Sequence, residues 1–266
     1  MPEWLRIIIL GIVEGVTEFL PVSSTGHLLL VESFFGVHQT EFFNTLIQSG
    51  AVLAVLLVFA KRAQELLFGW SRPENKDYLL KLGAAFLLTA IGGLILKKGL
   101  HWHLPKTAVP VAWATLIGGF AIVGVEAWLK DRKGSSQITW TIAIVIGIAQ
   151  LIAAVFPGSS RSGTTILFAM ALGIARPAAT EFSFLLGIPT LLAAGAKETL
   201  DAVKSHEPHE SWSLMVLGMV VAAVTAFLVV RWLLGYVRNN RFTPFGWYRI
   251  ILGAVILVLA AKGLVH

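Results

Sequence analysis

The chain reads as an all-α polytopic membrane protein built as an inverted-topology repeat, each half a re-entrant helical hairpin followed by three transmembrane helices. Three observations lead there. The 266 residues are 56% hydrophobic and only 14% charged, with a mean hydropathy of +0.77, which is membrane composition and not that of a soluble domain. Apolar runs of span length recur along the chain. A broken, hydroxyl-rich motif occurs twice, each time ahead of three such runs.

Charge and cysteine content narrow the function classes. The formal net charge is +6. In a membrane chain that excess belongs to cytoplasmic loops and anionic lipid, so no nucleic-acid partner is expected. Cysteine is absent, which excludes a disulfide frame and thiolate chemistry.

Taken in order, the first apolar segment, 4–20, carries Glu14 and Glu18. Four residues apart, they share a helical face. Each ionised carboxylate in hydrocarbon costs about 2.5–3.5 kcal/mol on insertion scales. No Ala-x-Ala site follows, so the segment is expected to be mature structure and not a cleaved leader. Pro21 removes a backbone donor and turns Leu20 away from helical geometry. The backbone of 22–26 must then find partners in protein or in a wet cavity. The piece at 26–36 is too short to cross and reads as the return arm of a hairpin. Segments 43–60, 79–96 and 108–129 follow as spans. Segment 138–156 and the short piece 163–175 form the second hairpin, and 181–197, 212–235 and 247–265 are its three spans. Thr40 and Thr180 are expected to cap the spans behind them, with Glu41 and Glu181 at the helix N-termini. Gln48, inside an apolar run, can either line a cavity or join helices. Gly11 and Gly15 give a weak close-packing signal. His101, His103, His206 and His209 are expected to be solvated.

The repeat is visible residue by residue. Gly11-Ile12-Val13-Glu14 followed by Pro21-Val22-Ser23-Ser24 recurs as Gly147-Ile148-Ala149-Gln150 followed by Pro157-Gly158-Ser159-Ser160. The halves, about 1–133 and 138–266, make one domain of residues 1–266. In this register Glu14 matches Gln150, Glu18 matches Ala154 and Thr25 matches Arg161, so one hairpin is acidic and the other basic. An odd number of spans per half inverts the second copy. Thirteen of the 21 lysines and arginines fall in the loops expected near 61–81, 130–137, 176 and 231–249. That side is expected to be cytoplasmic, with both termini outside. Trp4, Trp70, Trp128, Trp140, Trp212, Trp232 and Trp247 sit near segment ends as an aromatic belt.

The chemistry is expected where the hairpins meet. Arg161 grips phosphate through a planar fork. Around it Ser159, Ser160, Ser162 and Thr165, with Ser23 and Thr25 from the first hairpin, form a phosphate cradle. A helix starting near Gly163 adds its positive end. Glu14 and Glu18 can bind a hard cation such as Mg²⁺ or Ca²⁺, or act as acid and base. Ser24 can be a nucleophile or a phosphate donor, and His27 can carry protons or attack phosphorus itself. A buried structural role is the competing reading for each of these side chains.

The stretch from Glu14 to His27, with Ser23-Ser24-Thr25-Gly26-His27, and the stretch Pro157-Gly158-Ser159-Ser160-Arg161-Ser162-Gly163-Thr164-Thr165 closely resemble the two signature motifs of the undecaprenyl-diphosphate phosphatase (bacitracin-resistance) family. The resemblance covers essentially the whole chain. It implies an integral membrane enzyme of the bacterial plasma membrane, metal-dependent, with the inverted-repeat fold and a site facing the outer side. Such an enzyme removes the terminal phosphate of undecaprenyl diphosphate and recycles the cell-wall lipid carrier. By matching positions, Glu14, Glu18, Ser24, His27, Ser160, Arg161 and Thr165 are the implied functional residues. The expected partners are a polyprenyl diphosphate lipid and the bilayer, and a homodimer is compatible with the chain. The rival class is a transporter or flippase of a phosphorylated polyprenyl lipid, since inverted repeats and midplane ion sites are its hallmarks too.

Overall fold

The structure is a computed structural model that describes every residue except 38, 97–106, 131, 133, 206–210 and 266. The expectations for His101, His103, His206 and His209, and the loop charges Lys97, Lys98, Lys106 and Lys133, lie outside the described residues. Within them the chain is helical: α1 (Glu3–Thr17), α2 (Ser24–Phe35), α3 (Glu41–Val58), α4 (Ala60–Phe68), α5 (Pro73–Leu94), α6 (Ala108–Trp128), α7 (Trp140–Val155), α8 (Arg161–Ala171), α9 (Arg176–Ser205), α10 (Trp212–Tyr236) and α11 (Thr243–Ala261). Beyond helix, one isolated parallel bridge joins Ser135 to Ile174.

Six helices, α3, α5, α6, α9, α10 and α11, are long and apolar enough to cross a bilayer, and they are the six spans read from the sequence. The chain is a polytopic membrane protein. Large apolar side chains stand more than half exposed around it, among them Leu87, Ile117, Leu228 and Ile251, where hydrocarbon and not water suits them. Helices α1 and α7 are shorter, and each is followed by a turn and a short helix packed back against it.

The packing joins the two halves. Helix α1 lies on α10, α7 on α5, α3 on α9 and on α10, and α6 on α11. Small residues allow the close approach, as in other membrane helix pairs. A Cβ at Gly11 would come 2.8 Å from the Gly218 carbonyl, and one at Gly15 would come 2.6 Å from that of Ala222, both on α10.

Four expectations need correction. The region 61–81 is not a plain loop. It holds α4 and the first two turns of α5, which opens on Pro73, a residue suited to the first helical turn. Helix α9 begins at Arg176, so Thr180 lies inside it and donates to the Arg176 carbonyl instead of capping. Glu181 is likewise within α9 and pairs with Arg62 at 3.0 Å. Helix α11 begins at Thr243, which moves Arg249 off the charged loop and into the interior, where it is 1% exposed. Thr40 does cap α3, accepting from the Phe43 N–H.

Candidate functional site

The site grows from two broken helices whose tips touch. In the first, α1 stops at Thr17 because Pro21 lies ahead, and Glu18 takes the C-cap position with its N–H on the Glu14 carbonyl. The chain restarts at Ser23, which adopts a left-handed φ of 75° and caps α2 by accepting from the Gly26 N–H. In the second, Ser160 has φ 67° and caps α8 by accepting from the Gly163 N–H. The caps therefore set Ser23 against Ser160, Ser24 against Arg161 and Gly26 against Gly163. This corrects the pairing of Thr25 with Arg161. The second turn holds one more residue between its proline and its capping serine, and Gly158, at φ +95°, is in a conformation glycine readily adopts.

The carbonyls freed by the breaks are satisfied across the tips, as buried backbone must be. Ser162 Oγ lies 3.2 Å from both the Glu18 and Leu20 carbonyl oxygens. Arg249, on α11, donates to the carbonyls of Ala114 and Thr115 on α6, and to those of Pro21 in the first turn and Gly158 in the second. A guanidinium that donates to four backbone carbonyls thus ties both turns to α6 and α11.

Glu18 is the hub. One carboxylate oxygen accepts from Ser24 Oγ at 2.9 Å and from Gln48 Nε2 at 3.1 Å. The other pairs with Arg161 Nη2 at 3.2 Å. Arg161 also donates to the Ser183 carbonyl and lies over the Phe19 ring, and its Nε–H is buried without a hydrogen-bond partner. Gly187 on α9 leaves the room it needs, since a Cβ there would sit 2.9 Å from Cζ.

Glu14 is different. It is 1% exposed, and neither carboxylate oxygen accepts a hydrogen bond, although Glu18 and Arg161 are within electrostatic range. A buried carboxylate with both oxygens unsatisfied is costly and calls for a cation or another donor. It lines a mixed cavity of about 250 Å³ with Ser24, Thr25, Leu28, Leu29, Glu32, Asn44, Thr45 and Gln48. The residues fit a hard cation that keeps several non-protein ligands. Glu14 and Glu32 are the carboxylates that line the cavity, and Glu18 adjoins it through its bonds to Ser24 and Gln48; among the described residues no group of three or more His, Cys, Asp or Glu is placed to hold a metal ion.

The remaining candidates are placed as follows. Ser162 and Thr165 are fully buried, and Thr165 Oγ1 bonds to the Arg161 and Ser162 carbonyls and to Ser183 Oγ. Ser159 lines an apolar groove of about 430 Å³ walled by Trp113, Phe156 and Phe168, with its hydroxyl oxygen buried and without a hydrogen-bond partner. His27 makes its polar contacts with the Ser23 carbonyl, 2.7 Å from Nδ1, and with the Tyr248 hydroxyl, 2.6 Å from Nε2.

Sequence reasoning missed Glu32, Asn44, Tyr248 and Arg249. Glu32 carried a signal: it lies eight residues after Ser24, on the same face of α2, and takes Asn44 Nδ2 at 3.1 Å. Asn44 and Gln48 are likewise four apart on α3. Tyr248 and Arg249 carried none, because nothing local says that α11 runs past the two turns.

Comparison with known proteins adds an independent line. The family model described as bacitracin resistance protein BacA matches residues 7–255. A Rhizobium leguminosarum bv. trifolii protein named undecaprenyl-diphosphatase is 49% identical over 266 residues, covering 99% of each chain. Proteins of the same name from Xylella fastidiosa and Xanthomonas euvesicatoria pv. vesicatoria are 48% and 46% identical, the matches covering 97% of this chain and 98% and 97% of theirs.

Proposed function

Because the chain belongs to the bacitracin resistance protein family, we propose that it hydrolyses undecaprenyl diphosphate to undecaprenyl phosphate and inorganic phosphate. The observation that carries this is the Glu18 hub, which joins a serine hydroxyl to an arginine beside a second buried carboxylate whose oxygens accept no hydrogen bond. Phosphoryl transfer asks for such parts: a nucleophile with an acceptor for its proton, and positive charge on the phosphoryl oxygens.

In this reading Ser24 Oγ attacks the terminal phosphorus as its proton passes to Glu18. The bond to the bridging oxygen breaks, and undecaprenyl phosphate leaves with that electron pair. Arg161, with its unpaired Nε–H, holds the developing charge. Water then cleaves the phosphoserine, one of its protons restoring the Ser24 hydroxyl while the remaining OH stays on phosphate. Glu18 releases its proton toward solvent, with His27 as carrier. Both His27 nitrogens are engaged, which favours Ser24 over His27 as the attacking group. Glu14 and Glu18 would hold a divalent cation of the Mg²⁺ or Ca²⁺ kind, whose chemistry is to neutralise phosphoryl oxygens. The apolar groove beside Ser159 offers a bed for part of the prenyl chain.

The same reading takes the two halves as inverted repeats, supported by the exchange in which α1 packs on α10 and α7 on α5. It sets the protein in the bacterial plasma membrane with its site and both termini facing outward. Transport is the weaker reading, because the tips are tied by side chains that a rocking motion would have to release. Purified protein in detergent should release inorganic phosphate from undecaprenyl diphosphate and stop when EDTA is added. Absence of release from any polyprenyl diphosphate would overturn the proposal.

A further inference from the structure

We propose that Tyr248 is the positioning residue of His27, fixing which imidazole nitrogen is basic and passing on any proton that reaches it. The Ser23 carbonyl can only accept, so the Nδ1 atom 2.7 Å away carries a hydrogen. In a neutral ring Nε2 is then a bare lone pair, and the phenol 2.6 Å away donates to it. The two ring planes lie 7° from parallel with centroids 5.6 Å apart, the near-coplanar arrangement that a hydrogen bond along the Nε2 lone pair requires.

The placement of the phenol is built in. Arg249, the next residue on α11, is anchored to the Pro21 and Gly158 carbonyls of the two turns. The register of α11 against the first turn, and with it the reach of Tyr248 to His27, is therefore set by the same contacts that join the tips. The lone pair of His27 is covered by the phenol, so a proton bound for it first reaches the Tyr248 oxygen, and the phenol's own proton moves to Nε2. The tyrosine is unchanged and the imidazole gains one proton.

This inference rests on His27 as the proton carrier. The test is ¹⁵N spectroscopy of histidine-labelled full-length protein in lipid nanodiscs, with the His27 signals identified by their loss in His27→Gln, alongside steady-state kinetics. Wild-type protein should show His27 protonated at Nδ1 with a hydrogen-bonded, unprotonated Nε2. Tyr248→Phe, which keeps the ring and removes the hydroxyl, should shift Nε2 and lower kcat about 10-fold while KM stays within about two-fold. A wild-type proton on Nε2 overturns the proposal, as does a Tyr248→Phe enzyme with unchanged kcat, or with lowered kcat and an unchanged His27 spectrum. Should Tyr248→Phe not accumulate, the wild-type spectrum still decides the geometry, and Tyr248→Trp carries the kinetic arm. Full activity in His27→Gln would overturn the carrier role itself, separately from the tautomer.

Discussion

Arg161 Nη2 lies 3.2 Å from Glu18 Oε1, and this ion pair joins residues 143 positions apart in the chain. Both side chains are nearly buried. Removing one partner leaves the other charge uncompensated, a loss of about 3–5 kcal/mol in buried pairs. Arg161→Ala should therefore lower the thermal midpoint in detergent as well as activity, with kcat reduced at least about 100-fold. Arg161→Lys keeps the charge but not the fork, and should fall between the two in phosphate release.

The two neighbouring serines should separate cleanly. Ser24→Ala removes the hydroxyl on Glu18 and should reduce kcat by about 1,000-fold or more, with the fold intact. Ser23→Ala removes the cap of α2, a loss of about 1 kcal/mol, and should retain measurable turnover. Acid-quenched enzyme analysed by mass spectrometry should carry phosphate on Ser24 in wild type and none in Ser24→Ala.

Glu14 tests the cation. With both oxygens unpaired, Glu14→Gln should raise the Mg²⁺ concentration needed for half-maximal activity by at least about 10-fold after chelation. A titration curve that superimposes on wild type would remove Glu14 from the cation's ligands.

Gly187 tests positioning without removing a charge. A methyl group there meets the Arg161 guanidinium and not backbone, so Gly187→Ala should displace the guanidinium and lower the thermal midpoint less than Arg161→Ala does. Misplacement on the order of 1 Å can cost about 100-fold in rate, and kcat/KM should fall about 10- to 100-fold.

Much of this was legible in the sequence because hydrocarbon is a strict solvent. Two carboxylates in an apolar run, and prolines followed by serines at membrane depth, have few explanations. The six spans follow from apolar length alone. The rest turned on contacts that no local pattern encodes. Arg249 reads as a loop charge when the last span is started at 247, and the course of α11 past both turns makes it a clamp. Thr180 looked like a cap because Thr40 is one, yet α9 extends back to Arg176, whose carbonyl takes the threonine hydroxyl instead. The extra residue beside Gly158 was hidden because both turns contain Ser-Ser, which aligns either way. Caps and φ angles, not letters, decide which serine is equivalent to which.

One consequence follows from Ser162, whose hydroxyl rests on the carbonyls of Glu18 and Leu20. With that bond, and with Arg249 bridging Pro21 to Gly158, the two turns are fastened to each other through side chains of both hairpins and of α11. Any motion that parts the tips must first break these bonds, so the two broken helices move as one unit.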